Sequence, residues 1–157
     1  MPLPEHIALA ETFFTASGAR VVHGGNRAFY SPSHDFIQLP PLASFRDSES
    51  YSATKAHELV HWTSNPKRLD RTLGKRFGDA AYAAEELIAE MGAAFLCADL
   101  GITPETMPDH ADYLAHWLSI LKGDKRAIFT AAAQAQKALN YLHNLQEPIA
   151  QFIPANF

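Results

Sequence analysis

The octapeptide KAHELVHW, Lys55 to Trp62, sets two histidines four residues apart with a glutamate directly after the first. On a helix, positions i and i+4 share a face, so His57 and His61 can aim ring nitrogens at one ion. Glu58 lies one step round the helix, where it can reach a water held by that ion and act as general base. This is the equipment for zinc-assisted hydrolysis of a peptide bond. A catalytic zinc also needs a third protein ligand and an open fourth position. With 8 histidines in 157 residues, chance supplies the pentad about 0.02 times per chain, so an incidental pairing is the weaker reading.

The next helical stretch, AAYAAEELIAEMGAAFLCADL, offers the third ligand. At 100° per residue, Tyr82, Glu86 and Glu90 fall within about 80° of one another. Ala89, Ala93 and Cys97 share that stripe, and their small side chains invite close approach of the His57 helix. Glu86 followed four residues later by Glu90 resembles the pair found in zincins of the glutamate-ligand type, a ligand and then a group that orients a metal histidine through its other nitrogen. Glu90 as the ligand itself stays open. Two carboxylates turned into one apolar interface need a cation, which supports the metal. Glu85, about 100° from Glu86, is expected to be a solvated charge. Leu87, Ile88, Met91 and Phe95 form the expected core face.

Other candidates are weaker. Tyr82 could steady an oxyanion with its hydroxyl, against a plain packing role. His110 and His116 could do the same from the following helix, although lone histidines are more often structural. Cys97 lies too far along the axis to share the ion and is expected to be a small buried residue. His6, His23, His34 and His143 have no partner pattern. The basic residues Lys67, Arg68, Arg71, Lys75 and Arg76 are expected in a solvated loop, with an acidic partner or nucleic acid as the alternative.

These residues need elements to hold them. A helix is expected over 5–17, stopped by Gly18, then three short strands in ARVVH, RAFYS and DFIQLP. GGN reads as a hairpin turn between the first two, and SPSH separates the second from the third. Pro40 and Pro41 suggest an edge position for the third strand, where an extended peptide could add on. Asp47 or Ser48 can cap the histidine helix, and Asn65-Pro66 stops it. The glutamate helix ends at Gly101, and helices follow at about 109–122 and 124–145. Helix, small sheet, then four helices is an α+β layout.

The totals limit the function classes. The chain fits one domain spanning 1–157. Hydrophobic residues make up 47% and charged residues 19%, with net charge −4, which argues against unaided grip on a phosphate backbone. One cysteine excludes an internal disulfide and suits a reducing cytoplasm. No apolar run approaches the roughly 20 residues of a membrane span, and MPLPEHIALAE lacks the marks of a signal peptide.

Three blocks carry a family likeness: DFIQLPPLASFRDSESYSATKAHELVHWT, RFGDAAYAAEELIAEMGAAFLCADLGI and LKGDKRAIFTAAAQAQKALNYL. Together they resemble the C-terminal domain of ArdC-type antirestriction proteins, and the same domain in plasmid-encoded primases of the TraC kind. The resemblance runs from about residue 2 to about residue 147. It implies a zincin-like metallopeptidase fold with Zn2+ as cofactor. The family's HELVH falls on His57, Glu58 and His61, and its acidic helix on Glu85, Glu86 and Glu90. In the family an N-terminal domain binding single-stranded DNA precedes this one. The full-length proteins are carried by conjugative plasmids and protect incoming DNA from restriction. The expected substrate is a protein or peptide, such as a component of a restriction system. This chain opens directly with the metallopeptidase-type domain, so DNA binding is expected only through the missing N-terminal domain.

Overall fold

A computed structural model describes residues 4–71, 80–103 and 110–146. Helix α1 (Glu5–Ala16) leads to three strands, β1 (Val21–His23), β2 (Phe29–Ser31) and β3 (Phe36–Leu39). After a short 3-10 turn come α2 (Ser48–Trp62), α3 (Ala80–Leu100), α4 (His110–Ile120) and α5 (Lys125–Asn144). The layout is α+β, five helices with a small three-stranded sheet, as expected. Among the described residues no helix is long and apolar enough to cross a membrane.

Local chemistry sets the helix ends. Asp47 caps α2 by accepting from the Ser50 amide at 2.7 Å, and Asp124 caps α5 by accepting from the Arg126 amide at 2.9 Å. Gly18 and Gly101 close α1 and α3 with φ of 80° and 72°, the left-handed region where a Cβ is strained.

The sheet departs from the expected order, which was a hairpin of the first two strands with the third at an edge. The order is β1-β3-β2, with β3 in the middle, parallel to β1 and antiparallel to β2. The hairpin is therefore β2–β3, closed through Asp35, which adopts φ of 54° and donates its amide to the Ser31 carbonyl at 2.8 Å. Burial explains the choice. Ile37 and Leu39 of β3 are both 0% exposed, whereas Val22 and His23 of β1 face solvent. The most apolar strand takes the doubly flanked position. Pro40 does not prevent this, because it follows the last paired residue and its missing N–H removes no ladder bond. Addition of an extended peptide to β3 is accordingly overturned, since both its edges are paired.

The main core joins α1 (Ile7, Phe13, Phe14), the sheet, α2 (Leu59, Trp62) and the later turns of α3 and α5. A second cluster packs Val60, Leu87, Ile88 and Ala89 against the alanine face of α5 at Ala131, Ala135 and Ala138. Leu87 and Ile88 are core as expected; Phe95 is not, being 39% exposed. Cys97 is a buried free thiol in the main core. Burial pushes its pKa up to about 11.

Candidate metal centre

Two neighbouring helices build the site: α2 presents the histidines and α3 the carboxylates. They pack tightly at Gly92 of α3, where a Cβ would stand 2.9 Å from Val60 Cγ2. Any side chain there would push apart the surfaces that meet at the site.

His57 and His61 turn their Nε2 atoms toward each other, 3.2 Å apart. Glu86 lies between them, with Oε2 3.4 Å from His57 Nε2 and Oε1 3.2 Å from His61 Nε2. One donor atom from each of the three residues lies within 4.8 Å of the others. A tetrahedral ion with bonds of about 2.0–2.1 Å spaces its ligands about 3.3 Å apart, so the three-residue set fits zinc or a similar divalent ion.

The outer nitrogens are also engaged. Glu90 Oε1 lies 3.2 Å from His57 Nδ1, and Glu85 Oε2 lies 2.8 Å from His61 Nδ1. An Nδ1–H donated outward leaves the Nε2 lone pair free to face the cluster. Consecutive glutamates thus address the two nitrogens of one imidazole, Glu85 on Nδ1 and Glu86 on Nε2.

Glu85 is 4% exposed, which corrects the expectation of a solvated charge. Its second partner is Arg71, whose Nε donates to Oε1 at 2.8 Å and whose Nη2 donates to Oε2 at 3.0 Å. Arg71 is therefore buried rather than part of a solvated loop, its side chain 7% exposed. Arg68 is also held, stacked on the Trp62 ring at 3.8 Å and paired with Asp35. Lys75 and Arg76 lie outside the described residues.

The electrostatics favour a cation. Burial works against charge on His57, but hydrogen bonds to Glu86 and Glu90 and the nearby Glu58 carboxylate outweigh it and lift its pKa to about 10. His61 rises to about 9 against the same burial, through Glu85 and Glu86. Burial likewise opposes charge on Glu86, yet the two histidines hold its carboxyl well below the usual range. The Arg71–Glu85 pair is neutral as a unit. Glu58, Glu86 and Glu90 leave an excess of negative charge around two imidazoles, and a divalent ion offsets it.

Sequence and structure comparisons bear on the same residues. The profile of the zincin-like metallopeptidase family matches residues 8–134. The chain belongs to that family. This zincin-like domain is 47% identical over 146 residues to the protein y4eC of Sinorhizobium fredii, covering 93% of this chain and 48% of that one. It is 45% identical over 134 residues to DNA primase TraC of Escherichia coli, covering 85% of this chain and 12% of the primase. Crystal structures of the antirestriction protein ArdC from plasmid R388 superpose on it. The Mn(II)-bound form gives a TM-score of 0.76 at 44% identity, over 87% of this chain and 51% of that one. The metal-free form gives 0.75 at 43% identity, over 93% and 52%. The chain thus spans about half the length of y4eC and ArdC and about an eighth of TraC. The family and the Mn(II)-bound relative agree with a divalent metal site.

The remaining candidates sort by position. Glu58 is 7% exposed, and its charge acts on both histidines and on Tyr82. The Tyr82 ring packs on Trp117 at 5.4 Å while its hydroxyl bonds Glu86, and burial first, then Glu86, raises its pKa. Packing and a polar role at the site coexist there. His116 is exposed against Trp117 and outside the cluster. The side chain of His110 lies outside the described residues. His6, His23 and His143 bond Glu49, Tyr51 and Asp99 respectively, away from the site.

Arg71 and Gly92 were not singled out from the sequence as parts of the zincin-like site, and Glu85 entered only through the family's acidic helix, its own position reading as a solvated charge. A mid-helix glycine in an alanine-rich run was the one mark available for Gly92. Arg71 stood in a polar stretch with no periodicity to read.

Proposed function

We propose that this chain is the zinc-dependent peptidase domain of an antirestriction protein, hydrolysing a peptide bond in a protein substrate. The observation that carries this reading is the convergence of His57 Nε2, His61 Nε2 and a Glu86 carboxylate oxygen, with Glu58 buried beside them. In this reading His57, His61 and Glu86 hold the ion. The bound ion supplies Lewis acidity, polarising a carbonyl oxygen and lowering the pKa of water. Two histidines with one carboxylate suit zinc best among common divalent ions.

The chain's own residues do the rest. Glu58 takes the proton of the attacking water and passes it to the departing amine. Glu90 and Glu85 keep the imidazoles turned so that both Nε2 atoms face inward. The ligand side chains of His57 and Glu86 are each 18% exposed, which leaves a side open to water and substrate. In this reading the Tyr82 hydroxyl, bonded to Glu86 in the free site, would turn to donate a hydrogen bond to a developing oxyanion. The likeness to ArdC suggests a substrate within a restriction system, acted on in the cytoplasm. Single-stranded DNA would be engaged by another part of the full-length protein.

A second reading has its own support. The histidines and carboxylates partner one another, at 2.8 Å for His61–Glu85 and 3.2 Å for His57–Glu90, so the cluster can serve as a metal-holding scaffold. Antirestriction by occupying a restriction enzyme or DNA needs no hydrolysis, and fold and chemistry can separate.

Glu58→Gln separates the two readings. The expected result is retained metal, loss of peptide cleavage, and loss of protection when the variant is placed in the full-length protein. Full protection by Glu58→Gln would remove hydrolysis from the function and leave the scaffold.

A further inference from the structure

Arg71 belongs to the segment that leaves α2, yet its guanidinium makes four donations at the base of the metal centre. Nε and Nη2 grip both oxygens of Glu85, Nη1 donates to Thr63 Oγ1 at 2.8 Å, and Nη2 also reaches the Val60 carbonyl at 2.8 Å. Thr63 is 0% exposed and the Arg71 side chain 7%. The Arg71 amide donates to the Ser64 carbonyl at 2.9 Å, so backbone and side chain are both tied to the end of α2.

This geometry has a consequence for His61. A carboxylate that accepts from an imidazole Nδ1–H can swing on its own side-chain torsions. Glu85 cannot, because a planar fork holds both its oxygens. The fork is in turn anchored to α2, the helix that carries His61, so ring and acceptor share one frame of reference.

We propose that Arg71 is a positioning residue for the metal centre, acting through Glu85 to fix the orientation and tautomer of His61. The proposal rests on His61 being a metal ligand. It assigns to a basic loop residue a task that neither its charge nor its place in the chain suggests. Groups that orient a ligand histidine are commonly worth about 10–100-fold in metal affinity.

The test is zinc affinity, measured by competition with a chromophoric chelator, for wild type, Arg71→Met, Arg71→Lys and Glu85→Gln. Denaturant unfolding of each metal-free protein runs alongside. The 15N resonances of the histidine rings are recorded on the zinc-loaded proteins. Arg71→Met and Glu85→Gln are expected to bind zinc about 10–100-fold more weakly. Arg71→Lys keeps the charge but not the fork, and is expected to fall in between. The His61 Nδ1 resonance should be that of a protonated nitrogen in wild type and should shift in Arg71→Met, while His57 stays put. A purely structural arginine would lower the unfolding midpoint without moving that resonance.

If Arg71→Met does not fold, Thr63→Val removes one anchor of the guanidinium and is expected to weaken zinc by about 2–10-fold. Wild-type affinity and an unmoved His61 signal in Arg71→Lys and Thr63→Val would overturn the proposal. Zinc binding by wild type, unchanged in every variant, sinks the role of Arg71 alone. No zinc binding by wild type sinks the metal centre and this role with it.

Discussion

Gly92 and Val60 touch so closely that a methyl group on Gly92 would stand 2.9 Å from Val60 Cγ2 and 3.0 Å from Cγ1. Val60 is 0% exposed and directly precedes His61, so α2 cannot shift at this contact without carrying a candidate ligand with it. Valine is stiff at χ1 and offers no flexible end to give way.

Gly92→Ala is therefore expected to destabilise the protein by about 1–3 kcal/mol through overpacking, against a gain in helix propensity of about 1 kcal/mol. Zinc affinity should fall as well. In a double-mutant cycle with Val60→Ala, the pair should cost less than the sum of the two singles by about 0.5–3 kcal/mol. Urea unfolding of the four proteins reads this directly. Additive effects would mean that the helices do not meet there as described.

Metal content should rank the carboxylates of α3. Purified without added metal, wild type is expected to carry about one ion per chain. Glu86→Ala and His57→Ala should lose it, and Glu90→Ala should bind about 10–100-fold more weakly. Elemental analysis checks the first statement and a chelator competition the second. Loss with Glu90→Ala and retention with Glu86→Ala would exchange their roles.

Metal binding should also depend on pH, in a direction set by the two imidazoles. With pKa values lifted to about 10 and about 9, the metal-free rings hold protons in neutral solution, and an ion must displace them. Affinity should rise with pH through neutrality and stop gaining above those values. Calorimetry at pH 7 in two buffers of different ionisation enthalpy should show net proton release. No release would mean that the rings are already deprotonated.

The pair Asp35–Arg68 ties the β2–β3 hairpin to the end of α2. Burial raises the Asp35 pKa, but hydrogen bonds from Arg68 and Tyr30 outweigh it, and the net shift is downward. A depressed carboxyl contributes stability above its unfolded value near 4, and that contribution fades as pH falls through the folded value. Asp35→Asn keeps the residue's tolerance of its φ of 54° and removes the charge. It is expected to cost about 1 kcal/mol or less at pH 7, given the exposure of the Asp35 side chain, and less at pH 2. Unfolding at both pH values tests the sign; an equal cost at both would exclude the ionised carboxylate as the cause.

Cys97 should resist alkylation. Burial lifts its pKa to about 11, so thiolate is scarce at pH 8, and the sulfur sits in the main core. Iodoacetamide should label it slowly in the native protein and fast in denaturant. Rapid native labelling would indicate frequent opening between α3 and its neighbours.

Much of this site was legible one helix at a time. His57, Glu58 and His61 declare themselves because a 3.6-residue period turns spacing into direction, and Glu86 and Glu90 share a stripe for the same reason. Helix order, caps and the α+β layout are likewise local or nearly so. What tertiary structure alone decided is where partners come from across the chain. Glu85 was read as solvated because it points 100° from Glu86, yet α2 packs so that both residues flank His61, 24 positions away in sequence from Glu85. Arg71, 14 positions from Glu85, carried no periodic mark at all. The centre of the sheet was chosen in the same way: Pro40 spoke for an edge, but burial of Ile37 and Leu39 on two flanks outweighed it. Periodicity sets which way a side chain faces, and only packing sets what it meets there.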